Sequence, residues 1–134
     1  MGDVRHVRFQ AAASDQDGRY PGVFGLVNGL ARDGRLTEAQ EAFRRTANDW
    51  YEANCTDPSS VDPTVYDHPG ATAWFKSSAV HLIDRVAGHL AILDAHRVGW
   101  VGLESLDPGR IRYEDAHQVV AVASQGQVSL RRAR

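Results

Sequence analysis

The chain has 134 residues, of which 43% are hydrophobic and 24% charged, and its formal net charge is -2. That length supports one hydrophobic core and not two. The composition argues against disordered, fibrous and membrane-spanning classes, and the charge gives no electrostatic basis for wrapping a nucleic-acid polymer.

No apolar run reaches bilayer-spanning length, and the N-terminal MGDVRHVRFQ is too charged for a secretory leader. The lone Cys55 allows neither an internal disulfide nor zinc-finger spacing. The expectation is a cytoplasmic protein with no membrane association, no metal and no cofactor. Residues 1–124 should form a single domain, followed by a flexible basic tail over 125–134.

In DVRHVRFQAAA, Val7, Phe9 and Ala11 alternate with His6 and Arg8, which is the pattern of a half-buried strand. SDQDGRYPG is dense in turn formers and ends at Pro21, a good first-turn residue. Val23, Phe24, Leu26, Val27 and Leu30 then recur at helical spacing as far as a glycine cap at Gly34. Gly22, Gly25 and Gly29 fall near one side of this helix, where close helix packing would account for them. TEAQ at 37–40 has the form of a capping box and opens a helix of about four turns. That helix should turn Ala39, Phe43, Ala47 and Trp50 inward, and Glu41, Arg44, Arg45, Asn48 and Glu52 outward.

Residues 54–70 contain three prolines among Asp, Ser and Thr, and are read as a long ordered loop. ATAWFK at 71–76 reads as a strand. Ser77 or Ser78 is placed as the N-cap of one helix running to about His96. On that helix Ala79, Ile83, Val86, Leu90 and Leu93 form the core stripe, and His81, Arg85, His89 and His96 form a polar side. Three β-type runs follow, broken at LDPG and YEDA. The order implies an α+β fold in which about three helices pack on a mostly antiparallel sheet. Its core is expected to join Phe43, Trp50, Ile83, Leu90, Val101 and Val119.

Lys76 is the only lysine among fifteen basic residues. With Ser77 and Ser78 it stands where a strand hands over to a helix, and free helix N–H groups there favour an anion. Simple capping by a serine beside a solvated lysine is the alternative. Tyr66 lies in VDPTVYDHPG with Asp62, Asp67 and His68, a mixture of acid and base groups that also suits plain turns. Glu114 opens an apolar strand, where a carboxylate can take a proton or stabilise a developing cation. Trp50, Tyr51, Trp74 and Trp100 can wall a pocket or anchor the core. No two histidines have the helical spacing of paired zinc ligands.

DPSSVDPTVYD, GATAWFKSSA, HLIDRVAGHLAILDAH and DPGRIRYEDAHQVVAV, 53 of the 134 residues, resemble a family of small actinobacterial, Streptomyces-type proteins with no assigned activity. That resemblance implies a bacterial cytosolic protein and carries over no catalytic residue. The chain also resembles the ADP-ribosyltransferase architecture at three places. His6 or Arg8 would stand on its early strand, Ser77 and Ser78 at its serine strand, and Glu114 or Gln118 near its late strand. Here KSS replaces that family's Ser-Thr-Ser pattern, and its Glu-x-Glu pattern is absent.

The leading expectation is a protein binding an anionic small molecule or nucleotide in a cleft between sheet and helix, with group-transfer or hydrolytic chemistry as its enzymatic extension. Glu114 and His6 are the catalytic candidates, and Lys76, Ser77, Ser78, Arg8, Trp74 and Tyr66 the ligand-binding ones. The alternative is a non-catalytic interaction module, of accessory or immunity type, meeting a protein partner or a second copy through an Arg44, Arg45 and Glu52 face.

Overall fold

The computed structural model describes residues 5–123 and the backbone of 130–132. Strands β1 (His6–Ala11), β2 (Ala71–Lys76), β3 (Trp100–Ser105), β4 (Arg110–Glu114), β5 (Gln118–Val122) and β6 (Leu130–Arg132) form one antiparallel sheet in the order β4-β5-β2-β1-β3-β6. The helices are α1 (Val23–Arg32), α2 (Glu38–Asn54), the single turn α3 (Pro58–Val61), α4 (Val80–Asp84) and α5 (Ala87–Ala95). This is the α+β domain the element order implies. Of the tail expected from residue 125, residues 130–132 form β6, and the rest lies outside the described residues. Among the described residues, no helix is long and apolar enough to cross a membrane.

Local chemistry accounts for most element boundaries. Pro21 and Gly22 lead into α1, which buries Val23, Val27 and Leu30 on one stripe. Thr37 and Gln40 complete both halves of the capping box on α2, with the Thr37 hydroxyl accepting from the Gln40 N–H and the Gln40 amide oxygen from the Thr37 N–H. Asp57 caps α3 by accepting from the Ser59 N–H at 3.0 Å, with Pro58 in the first turn. Gly109 has a φ of 126° and packs so closely on the Val122 carbonyl that a Cβ there would clash with it.

Several expectations are corrected. The helix read as one piece from Ala79 to His96 is two, because the chain breaks at residues 85–86 before α5 begins. Its N-cap is Ala79, while Ser77 and Ser78 are exposed in a turn. His89 does not belong to a polar side: it is 1% exposed, with the rings of Phe24, Phe43 and Tyr51 around it at 4.7, 5.3 and 6.0 Å.

The core gathers Val23, Val27, Leu30, Val86, Ile92 and Leu93, with Phe9, Phe43, Phe75, Leu90 and Trp100 packed against it. Trp50, Ile83 and Val101 are only half-buried, and Val119 is buried outside that cluster. Ala39 is exposed, and Arg44 turns inward onto α1. The glycines of α1 are not closely packed, since a Cβ at Gly25 would meet nothing within 4 Å. The close approach is at Gly88 of α5, where a Cβ would clash with the Phe43 ring.

Candidate ligand-binding site

The site arises from a parting in the middle of the sheet. On one edge β1 pairs with β3 along its whole length, from His6↔Ser105 to Ala11↔Trp100. On the other edge it pairs with β2 only at His6↔Lys76 and Val7↔Phe75. Beyond Val7 that edge is taken by the segment entering α1: Gln10 bridges to Gly22, and the Ala11 N–H donates to the Pro21 carbonyl at 2.8 Å. The chain leading into α1 is therefore a wedge between two central strands.

Arg8 ties the three pieces together. Its Nε donates to Gln10 Oε1 at 2.8 Å, one Nη to the Ala73 carbonyl of β2 at 3.0 Å and the other to the Tyr20 carbonyl at 3.0 Å. A guanidinium has five N–H donors, so two remain. Burial lowers the Arg8 pKa to about 10, which still leaves it charged at neutral pH.

A cavity of about 840 Å³ opens at the parting, within the range that holds small-molecule ligands. Its sheet side is formed by Val7, Arg8, Phe9, Ala73, Trp74, Phe75 and Gln118. Its helix side is formed by Gly22, Phe24 and Asn28 of the α1 segment and by Asn48, Tyr51 and Glu52 of α2. Cys55, Thr56, Asp57 and Ser60 close it.

Hydrogen bonds fix these walls. Asn28 Oδ1 accepts from an Arg44 Nη at 3.2 Å and from Asn48 Nδ2 at 3.5 Å, joining α1 to α2. The Tyr51 hydroxyl donates to the Leu82 carbonyl at 2.7 Å. The Gln118 amide donates to the Thr56 carbonyl and to Asp115 Oδ2, pinning the start of the 54–70 loop to β5. Burial pushes the Cys55 thiol pKa up, helped by Asp115 and Asp57, so at neutral pH it stays protonated and a poor nucleophile.

The candidates named from sequence separate into two places. Arg8 and Trp74 line the cavity, and Tyr66 is near enough to Arg8 for their charges to interact, though it is not part of the wall. Lys76, His6 and Glu114 gather elsewhere. His6 and Lys76 are direct cross-strand partners, and the Lys76 ammonium lies 2.6 Å from Glu114 Oε2. Burial lowers the His6 pKa, a backbone contact at Ser105 opposes this, and the charge of Lys76 lowers it further. None of the three lines the cavity, and neither do Ser77 and Ser78. Among the described residues, no three His, Cys, Asp or Glu side chains are placed to hold a metal ion.

Sequence reasoning does not single out Asn28 and Asn48 as wall residues, and reads Asn48 as solvent-facing. The available signal is an amide among apolar neighbours: Asn28 follows Val27 and lies one turn after Phe24 on a helix whose other residues up to Ala31 are apolar or glycine. No protein-family model matches the chain, and neither the curated proteins nor the solved structures give a match.

Proposed function

We propose that this protein binds a small anionic molecule, a nucleotide included, in the cavity between the parted strands and helices α1 and α2. The observation that carries this reading is Arg8: among the described residues it is the one basic side chain of the cavity wall, and it holds two N–H donors beyond those that tie the sheet together. A guanidinium held in place by neutral carbonyls keeps its full charge for a carboxylate or phosphate. The aromatic rings of Phe24, Tyr51 and Phe75 offer the ligand's apolar part a surface.

Binding without catalysis is proposed. His6 and Glu114 stand outside the cavity, so the acid–base pair considered for group transfer or hydrolysis is not next to a ligand held by Arg8. The interaction-module alternative loses part of its surface, because Arg44 is engaged by Glu41 and Asn28.

The test is a thermal-shift screen of carboxylates, phosphosugars and nucleotides, followed by calorimetric titration of the best compound. Ligand binding to the native state raises the melting temperature by mass action. Arg8→Lys should bind more weakly than wild type, and Arg8→Met more weakly still. A flat screen, or equal affinity in Arg8→Met that is shown to be folded, would overturn the proposal.

A further inference from the structure

The cavity is electrically polar from inside to outside. Among the described residues its one cation, Arg8, is half-buried between β1 and β2, whereas its two carboxylates, Glu52 and Asp57, are exposed and therefore stand at the mouth. Asp57 Oδ1 is occupied in capping α3, accepting from the Ser59 N–H and hydroxyl, which leaves its second oxygen toward solvent or ligand. Between the two ends the wall is aromatic and amide-bearing, through Phe24, Tyr51 and Asn48.

A polyphosphate lodged at Arg8 would bring further negative charge to two carboxylates, and like charges drawn together in a partly desolvated site repel. A molecule with one anionic end and one cationic end, separated by an apolar stretch, meets a complementary group at each end. Resting on the reading of this cavity as an anion-binding site, we infer that its ligand class is an extended zwitterion: a carboxylate or monophosphate at Arg8, an amine at Glu52 and Asp57, and an aliphatic or aromatic spacer between them.

The experiment titrates wild-type protein calorimetrically with 6-aminohexanoate, 8-aminooctanoate, hexanoate, hexylamine and AMP. At least one amino acid of the series should bind about tenfold tighter than hexanoate, the lower end of what one charge-assisted hydrogen bond supplies. It should also bind tighter than AMP. In Glu52→Gln/Asp57→Asn the advantage over hexanoate should vanish; Asn preserves the α3 cap, so the fold is retained.

Hexanoate or AMP binding as tightly as both amino acids would overturn the zwitterion assignment and leave the anion site standing. Retention of the advantage in the double variant would overturn the assignment of the amine to these carboxylates. No binding by any of the five compounds overturns the inference, and the broader screen then decides whether the anion-binding reading falls with it.

Discussion

The Lys76 ammonium reaches across β5, from β2 to β4, to lie 2.6 Å from a carboxylate oxygen of Glu114. The lysine that the sequence offers to an anion at a helix start thus already has a counter-ion. The helix after it is five residues long, and its N-cap, Ala79, supplies no side-chain cap. Glu114 is half-exposed, and ion pairs of that kind contribute about 0–1 kcal/mol. Lys76→Met should therefore leave ligand affinity unchanged and shift the denaturation midpoint only slightly. A tenfold loss of affinity in a fully folded Lys76→Met protein would move the binding site to the His6, Lys76 and Glu114 cluster.

Two glycine-to-alanine changes should act in opposite directions. At Gly88 a methyl group would run into the Phe43 ring, and crowding of this kind in a packed interior costs roughly 1–3 kcal/mol. At Gly25, inside α1, a methyl group meets open space, and alanine restricts the unfolded chain, adding about 0.5–1 kcal/mol. Urea midpoints of the two variants should fall on either side of wild type. A stabilised Gly88→Ala would show that α5 and α2 are not in contact at Phe43.

Elements with a local cause can be read from the sequence, and elements decided by distant contacts cannot. Thr37 with Gln40 and the apolar stripe of α1 each act within a few residues, and both are present. β1 forms where its alternation places a strand, but its burial does not alternate, since His6 is buried while Val7, Arg8 and Phe9 are all half-buried. The break between α4 and α5 has no proline or other strong helix breaker at residues 85–86 to announce it. It coincides with burial of Val86 in the core and stacking of Arg85 on the Trp50 ring at 4.0 Å, both of which depend on segments far away in the chain.

His89 meets the same limit: histidine reads as polar by default, and only three aromatic neighbours from other elements make its position interior. For the site, Arg8 and Trp74 are legible in the sequence as chemistry-bearing residues. The parting of β1 from β2 is a tertiary event, and no pattern in either strand records it.

The buried imidazole of His89 makes stability depend on pH. Burial lowers its pKa to about 4 from an ordinary 6.5, a backbone contact at Arg85 opposing only in part. The unfolded chain therefore takes up this proton more readily than the folded one, so stability rises with pH through the window from about 4 to 6.5. Acidification through that window should remove roughly 3 kcal/mol, because each pH step of one across it is worth about 1.4 kcal/mol. His6, lowered in the same direction, adds to the loss. Unfolding free energies measured between about pH 4 and 8 should follow this slope in wild type and flatten in His89→Leu. An equal slope in both would place the titrating group elsewhere.

Arg8 serves the fold and the proposed ligand at once, and the two roles can be separated. Within the fold its guanidinium satisfies the Ala73 and Tyr20 carbonyls where β1 and β2 no longer pair. Arg8→Met retains the apolar stem but strands those acceptors, each at about 1–3 kcal/mol when water cannot replace the donor. The cavity beside them admits some water, so the total should lie near the low end, roughly 2–3 kcal/mol. Lysine can reach one carbonyl but cannot fork between two, so Arg8→Lys should recover part of the stability and part of the anion affinity.

Denaturation midpoints and calorimetric affinities for wild type, Arg8→Lys and Arg8→Met should then fall in the same rank order. Gln10→Leu, which removes only the Nε partner, should lower stability without abolishing binding, because both Nη contacts remain. A wild-type midpoint for Arg8→Met would mean that the wedge is held by the Gln10–Gly22 bridge and the Ala11 to Pro21 hydrogen bond alone. In that case the guanidinium would have no structural task at the parting, and its burial there would have to be explained by the ligand.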